Sequence, residues 1–162
     1  MIFDIIVKDF FASFQNPIFT VVFTAIRSSI YILVAIAAGW LIYKKDKQNF
    51  LKLIIGCLFL YVILELLKFV IARPRPNLLT NDSFPSRHSA IAFFISHFLP
   101  IDKKIKFLLY VWAALIALSR LILNLHWFTD VLVGSSIGLA FGWGINKLDI
   151  TELLQKLKLM KS

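Results

Sequence analysis

The sequence predicts an all-α fold: an integral membrane helical bundle of about five transmembrane helices, with interfacial amphipathic helices at the N-terminal and C-terminal ends. Hydrophobic residues make up 59% of the 162 residues, against roughly 45–50% in soluble domains. Sixteen residues are phenylalanine, and the mean hydropathy is +0.81. The charged residues fall in short groups between apolar stretches. This arrangement suits a lipid bilayer better than water.

The chain is predicted to form one membrane-embedded domain, residues 1–162, because no Pro-, Gly- or Ser-rich linker divides it. The single cysteine, Cys57, lies in an apolar stretch and therefore predicts neither a disulfide framework nor a metal cluster. Near the N-terminus, Asp4 and Asp9 without a small-residue cleavage site argue against a removable signal peptide. The first span is therefore expected to direct insertion.

Residues 2–14 are predicted to form an amphipathic helix that lies in the membrane surface. Its polar face is expected to carry Asp4, Lys8, Asp9 and Ser13. Asn16 followed by Pro17 is typical of an N-cap and the first position of a new helix. That helix, residues 17–43, is longer than a hydrocarbon layer of ~30 Å requires. Residues 17–28 could therefore span or lie in the interface, which leaves 29–43 as the span proper.

Four further apolar stretches are predicted to span, at approximately 50–72, 86–99, 104–123 and 127–146. In the last of them, glycines recur every four residues, which permits close helix packing; these are Gly134, Gly138 and Gly142. The prolines of residues 73–87 exclude a continuous helix and indicate a loop outside the hydrocarbon. Asp149 and Glu152 resemble a capping box and predict the C-terminal surface helix.

The charges divide between the two sides of this topology. Five spans place eleven lysines on the side of the loops 44–52 and 101–106, and the positive-inside rule makes that side cytoplasmic. The opposite side receives all five arginines and two lysines. Arginine binds phosphate and carboxylate in a bidentate manner, so an anion site is expected there. Topology thus explains the net charge of +9 better than a nucleic-acid partner does. The outer cations are Lys8, Arg27, Lys68, Arg73, Arg75, Arg87 and Arg120.

Three span ends on the outer side carry polar groups that a bilayer disfavours. Lys68 and Arg75 lie at or just beyond the end of one span, Ser86 and Arg87 begin the next, and Arg120 ends a third. A lone cation at such a place commonly reaches to the interface. Three such ends on one side instead predict a binding site for an anion.

His126 and Asp130 are four residues apart and share one helix face. A carboxylate there can hold one imidazole nitrogen and leave the other free as a nucleophile. The alternative is an aspartate that serves its helix dipole beside an interfacial histidine. His88, just after Ser86 at a helix start, can deliver a proton, whereas His97 is interpreted as structural. With several cations and no metal-ligand set, the two histidines predict metal-free phosphoryl transfer through a phosphohistidine.

These residues resemble the three-part signature of the type 2 phosphatidic acid phosphatases, membrane relatives of the vanadium haloperoxidases. The three parts lie within residues 68–130. They are Lys68-x6-Arg75-Pro76, Pro85-Ser86-Arg87-His88 and Ser119-Arg120-x5-His126-x3-Asp130. The resemblance implies that His126 is the nucleophile, Asp130 its orienting partner and His88 the acid for the leaving oxygen. It also implies phosphate binding by Lys68, Arg75, Ser86 and Arg120, with no cofactor.

The chain departs from the family at Arg87, where the family usually has glycine. A glycine amide can approach phosphate closely, so Arg87 is hypothesised instead to contact a second phosphate or a polyanionic head group through its side chain. The family also commonly has six spans, and here the first is reduced to the surface helix at 2–14.

The resemblance implies a lipid phosphatase in the cytoplasmic (inner) membrane, multi-pass, with its active site facing the periplasm or cell exterior. Its expected partners are the bilayer and a lipid phosphate substrate. Undecaprenyl pyrophosphate, phosphatidylglycerophosphate and the 1-phosphate of lipid A all stay open, and the sequence makes no prediction of oligomeric state. A non-enzymatic anion carrier or channel would need cations along a path across the bilayer, yet they stop at one face. A haloperoxidase-like vanadate enzyme does not require a membrane scaffold.

Overall fold

The computed structural model describes residues 2–149, and every regular element in that range is an α-helix. The prediction of an all-α membrane bundle is confirmed. The predicted C-terminal surface helix lies outside the described residues, from 150 onward, and the single domain of residues 1–162 stays a prediction. The helices are α1 (Ile2–Ala12), α2 (Pro17–Tyr43), α3 (Lys47–Ile71), α4 (Arg87–Phe98), α5 (Lys103–Ile122) and α6 (Phe128–Lys147).

Helix α2 begins where the sequence predicts. The side chain of Asn16 accepts a hydrogen bond from the backbone N–H of Phe19 at 2.9 Å, and Pro17 occupies the first turn. These contacts satisfy an amide that the first turn would otherwise leave unpaired. The 27 residues of α2 form one continuous helix. Residues 17–28 and 29–43 therefore belong to the same uninterrupted helix.

In residues 2–149, four helices are long and apolar enough to cross a membrane, namely α2, α3, α5 and α6. The predicted span at 86–99 is present as α4, which has 12 residues and so covers only ~18 Å. Many side chains of α4 are buried, including Phe94 and Ile95. Helix α4 is thus an inner helix, largely enclosed by its neighbours.

The small residues of α6 bring it against α4, as their spacing predicts. A Cβ atom at Gly138 would lie 2.1 Å from the carbonyl oxygen of Ala90, and one at Gly134 would lie 2.5 Å from that of Ser86. Real Cβ atoms do not approach backbone oxygens so closely, so the contact requires glycine at both positions. It sets the start of α4 beside the start of α6.

We expect Gly138→Ala to lower the free energy of unfolding by about 1–3 kcal/mol, because the methyl group must push α4 and α6 apart. Gly144 is the matched control on the same helix, since no heavy atom lies within 4 Å of a Cβ placed there. Gly144→Ala should be neutral or slightly stabilising, because alanine is the better helix former. Thermal unfolding in detergent measures both, and equal midpoints for the two variants would contradict the proposed steric cause.

Helix α1 corrects one expectation. The sequence places Asp4 on a solvated polar face, but Asp4 is buried. The exposed residues of α1 include large apolar ones such as Ile2, Ile6 and Phe10. These apolar side chains fit a helix whose outer face meets lipid. The polar side of α1 at Asp4 instead faces the protein.

Candidate active site

The structure brings the three signature segments together at one end of the bundle. The backbone N–H of Ser86, at the start of α4, donates to the carbonyl oxygen of Asp130 in α6 at 3.0 Å. The backbone N–H of Leu125 donates to the carbonyl oxygen of Arg120, the last turn of α5, at 3.1 Å. Helix ends that are distant in the chain thus share one site, to which the loop between α3 and α4 adds Arg73, Asp82 and Ser83.

His126 lies in the short connection between α5 and α6 and is buried. Its Nδ1 atom lies 2.6 Å from the carbonyl oxygen of Ser83. A carbonyl only accepts, so Nδ1 carries the proton, and in a neutral ring Nε2 then holds a free lone pair. Burial lowers the pKa of His126 to about 4; Asp130 opposes this shift and Arg120 adds to it. The ring is therefore neutral at pH 7, with Nε2 unprotonated.

Asp130 lies beside His126 at an ion-pair distance but not at a hydrogen-bond distance. The Asp130 Oδ2 atom lies 3.7 Å from His126 Nδ1, too far for a hydrogen bond. The Ser83 hydroxyl and the Trp127 backbone N–H, the latter at 2.8 Å, donate to Oδ2. The hydrogen bond from Nδ1 goes instead to the loop after α3, which offers its own carbonyl, and the role of Asp130 as orienting partner stays a prediction. The Ser83 hydroxyl thus connects Asp130 to the residue whose carbonyl accepts from His126, and Asp130 also accepts from the amide of the N-cap residue of α6, as the alternative interpretation expected.

Arg120 is the most unusual cation of the site. It is 3% exposed, and its Nε and Nη1 atoms have no hydrogen-bond partner among the described residues. Buried polar groups are nearly always paired, and a buried charge without a partner is costly. Such a guanidinium has donors available for an anion, and the predicted role of Arg120 in phosphate binding stays a prediction.

Lys68 and Arg75 converge on one residue of the loop, Asp82. The Arg75 Nε and Nη2 atoms each donate to the Asp82 carboxylate at 2.7 Å, and Lys68 Nζ donates to the Asp82 carbonyl oxygen. The hydrogen bonds from Arg75 hold the pKa of Asp82 well below its usual range. The side chain of Asp82 is half-exposed. An ionised carboxylate thus occupies the fork of Arg75, a contact that the sequence analysis did not anticipate.

The residues at the start of α4 lie on the side of the site nearest α2 and α3. The Ser86 hydroxyl lies 2.9 Å from that of Ser89. Arg87 Nη1 donates to Glu65 at 2.7 Å, and its guanidinium lies over the Tyr61 ring, 5.1 Å from the centroid. Beside them is a cavity of about 200 Å³. It is lined by Ile30, Tyr31, Tyr61, Arg87, His88 and Ile91.

A further layer of charged residues supports Asp130 from behind. Arg73 Nη1 donates to Asp130 Oδ1 at 2.6 Å, and Arg73 Nη2 donates to Asp4 at 2.7 Å. From the sequence, Arg73 was expected only among the outer cations and Asp4 on a solvated face. No feature of the sequence separates Asp4 from Lys8 and Asp9, the other charged residues of α1.

The structure also bears on metal binding. Within residues 2–149, no three side chains of His, Cys, Asp or Glu converge as a metal site. The absence of a cofactor stays a prediction.

Comparison with known proteins places the chain in a family. Residues 49–151, more than half of the chain, match the PAP2 superfamily. The chain belongs to the PAP2 superfamily. This result confirms the resemblance to type 2 phosphatidic acid phosphatases. Together with its apolar helices, membership of the PAP2 superfamily makes the chain a multi-pass membrane protein.

Named relatives within the PAP2 superfamily agree with this assignment. Phosphatidylglycerophosphatase B of Bacillus subtilis (strain 168) is 36% identical over 125 residues, which is 67% of this chain. The match spans 61% of that relative's length. The structure of LpxE from Aquifex aeolicus superposes with a TM-score of 0.77 at 26% identity, covering 89% of this chain and 94% of LpxE. The transmembrane PAP2-type phosphatidylglycerolphosphate phosphatase of B. subtilis gives 0.72 at 27% identity, with coverage of 88% and 82%.

Proposed function

We propose that this protein is an integral membrane lipid phosphatase that hydrolyses a phosphate or pyrophosphate monoester through a phosphohistidine, without metal. The observation that carries the proposal is the pairing of two groups in one buried site. His126 is neutral with Nε2 free, and Arg120 presents unpaired donors for an oxyanion. A nucleophile beside a preorganised anion clamp is the arrangement that phosphoryl transfer requires.

The proposed reaction has two steps. In the first, Lys68, Arg75, Ser86 and Arg120 hold the phosphate while His126 Nε2 attacks phosphorus. The bond from phosphorus to the leaving oxygen breaks, and His88 donates the proton that this oxygen takes up. Burial and the neighbouring cations lower the pKa of His88 in the free enzyme, so the proposal requires that the anionic substrate raise this pKa and bring the proton to the ring. The phosphorylated ring keeps its Nδ1 proton and is cationic, and the Ser83 carbonyl and the nearby Asp130 carboxylate stabilise that charge.

In the second step, His88, now neutral, takes a proton from water. The resulting hydroxide attacks phosphorus, and the phosphorus–Nε2 bond breaks. Inorganic phosphate leaves, and both histidines return to their starting states. When phosphate binds, the Asp82 carboxylate must move away from the Arg75 guanidinium. Its half-exposed position leaves room for that movement.

A lipid substrate is supported by the position of the site at the end of a bundle that meets the bilayer on its outer surface. Undecaprenyl pyrophosphate, phosphatidylglycerophosphate and lipid A 1-phosphate remain the candidates. The similarity to the phosphatidylglycerophosphatases of B. subtilis favours phosphatidylglycerophosphate. Arg87 lines the cavity beside His88 and would contact a second anionic group there, although Glu65 already neutralises part of its charge.

The proposed location is the cytoplasmic (inner) membrane, with the site facing the periplasm or cell exterior. The support is the distribution of lysines, which are concentrated on the side opposite the site.

The test is phosphate release by purified protein from a panel of lipid mono- and diphosphates in the presence of a chelator. We expect release with chelator, together with a phosphoenzyme that is labile to acid and stable to base, as a phosphohistidine is. A requirement for added metal would overturn the mechanism. Passage of phosphate through proteoliposomes without hydrolysis would instead support the rival anion carrier.

The pH dependence follows from the lowered pKa of His126. Attack requires the neutral ring, and the free-enzyme pKa is about 4 rather than the usual 6.5. On the acid side, kcat/KM should therefore stay high through pH 5.5 and fall only as the pH approaches 4. The substrate phosphate also titrates, and its second pKa is measured from its ³¹P chemical shift. The kcat/KM profile is first corrected for this ionisation. An acid limb centred near 6.5 after that correction would contradict the assigned tautomer and burial.

A further inference from the structure

The surface helix α1 contributes a buried carboxylate to the back of the candidate active site. Asp4 Oδ2 accepts from Arg73 Nη2 at 2.7 Å and from the Thr129 hydroxyl at 2.9 Å, and Asp4 Oδ1 accepts from the Thr129 backbone N–H at 3.1 Å. Arg73 and Thr129 thus tie α1 to the loop after α3 and to the first turn of α6. None of the three residues belongs to the family signature described above.

Arg73 lies between two carboxylates and bonds both. Its Nη1 atom donates to Asp130 Oδ1 at 2.6 Å and to the Thr129 hydroxyl at 2.7 Å, while Nη2 donates to Asp4. Hydrogen bonds at both Nη atoms fix the orientation of the planar guanidinium. The guanidinium in turn restricts the orientation of the carboxylate that accepts from it. Arg73 therefore fixes the orientation of Asp130 Oδ1, and Asp4 fixes the orientation of Arg73.

We infer that Asp4 and Arg73 are positioning residues for the nucleophile and that α1 is a functional part of the active site. Asp4 orients Arg73, Arg73 orients Asp130, and the Ser83 hydroxyl that donates to Asp130 belongs to the residue whose carbonyl holds His126 Nδ1. These hydrogen bonds form a chain from the membrane-surface helix to the imidazole. The inference rests on the proposed function, in which His126 attacks phosphorus.

The chain of hydrogen bonds also explains why Asp4 of α1 faces inward. The net charge of Asp4, Arg73 and Asp130 together is −1, and the cationic phosphorylated ring of His126 would balance it. Burial opposes ionisation of Asp4, but the hydrogen bonds from Arg73 and Thr129 outweigh it and lower the pKa of Asp4. Asp4 is thus ionised at neutral pH, as the orienting role requires.

The test uses three variants, namely Asp4→Asn, Arg73→Met and the double variant that combines these two changes. Each is compared with the control variant Asp9→Asn. Asp9 is the matched control, since it lies on the same helix and is exposed. Asn at position 4 keeps the size and one acceptor for Thr129 but loses the charge. We expect kcat to fall about 10-fold in Asp4→Asn and about 100-fold in Arg73→Met, the range that supporting residues typically show. KM should stay within about twofold, because the phosphate clamps are untouched.

The double variant separates positioning from general damage. If Asp4 acts through Arg73, the double variant should lose no more kcat than Arg73→Met alone. Losses that multiply, or a kcat for Asp4→Asn equal to that of Asp9→Asn, would overturn the inference. A lowered thermal midpoint in Asp4→Asn with a normal kcat at low temperature would also overturn it, since α1 would then be structural only. Activity that survives loss of the His126 imidazole would instead overturn the proposed function.

Discussion

Replacing His126 with alanine is expected to reduce phosphate release from lipid substrates by at least about 10⁴-fold, since no other group can take over covalent attack. The described neighbours of His126 offer no substitute. Ser83 and Ser86 are fully buried, and the hydroxyl of each already hydrogen-bonds within the protein. The cations that hold phosphate remain in the variant, so substrate binding should survive while turnover is lost.

His97→Ala is the control for this variant. His97 lies in the last turn of α4, at the end away from Ser86 and His88, and hydrogen-bonds Tyr110 at 2.7 Å. Its replacement should leave kcat within about threefold, as for a substitution outside the reacting groups. Turnover in His126→Ala that stays near the level of His97→Ala would refute the phosphohistidine mechanism. Loss of the acid-labile phosphoenzyme in His126→Ala alone would support it directly.

Arg120→Met is expected to change activity and stability in opposite directions. Loss of the clamp should lower kcat/KM by about 10²–10³-fold, as for removal of a preorganised donor to a developing oxyanion. Because Nε and Nη1 of Arg120 are buried without partners, methionine should raise the thermal midpoint of the ligand-free protein. Binding sites commonly trade stability for function in this way.

Thermal unfolding with and without inorganic phosphate measures this second prediction. Phosphate should raise the midpoint of the wild type, because a ligand that binds only the folded state stabilises it. The same phosphate should have little effect on Arg120→Met. A variant that is less stable than the wild type, yet gains as much from phosphate, would show that Arg120 is a structural residue.

Much of the fold could be predicted because its causes are local. Apolar runs set the helices, and the Asn16–Pro17 pair marks the start of α2 within one turn of chain. The four-residue spacing of Gly134 and Gly138 predicted the contact of α6 with another helix, and the structure shows that partner to be α4. Local patterns can indicate that a helix face is prepared for contact, but not which element covers it.

The residues expected in the site could likewise be named in advance, because cations and histidines at span ends are conspicuous against apolar sequence. Their partners could not. Ser83 bonds Asp130 across 47 positions, Arg73 does so across 57, and Asp4 reaches Arg73 across 69. Which carboxylate meets which cation depends on the path of the loop after α3.

The sequence alone therefore determined the membrane bundle, its helix starts and the chemical groups of the site. Only the tertiary structure decided that a backbone carbonyl accepts the hydrogen bond from His126, with Asp130 at an ion-pair distance. Every residue has a backbone carbonyl, so the residue type does not indicate which carbonyl accepts the hydrogen bond from His126. Tertiary structure also decided that Asp4 is buried beside Arg73. The sequence of a surface helix does not show whether water or a guanidinium donates hydrogen bonds to its aspartate. That partner is determined by how the helix packs.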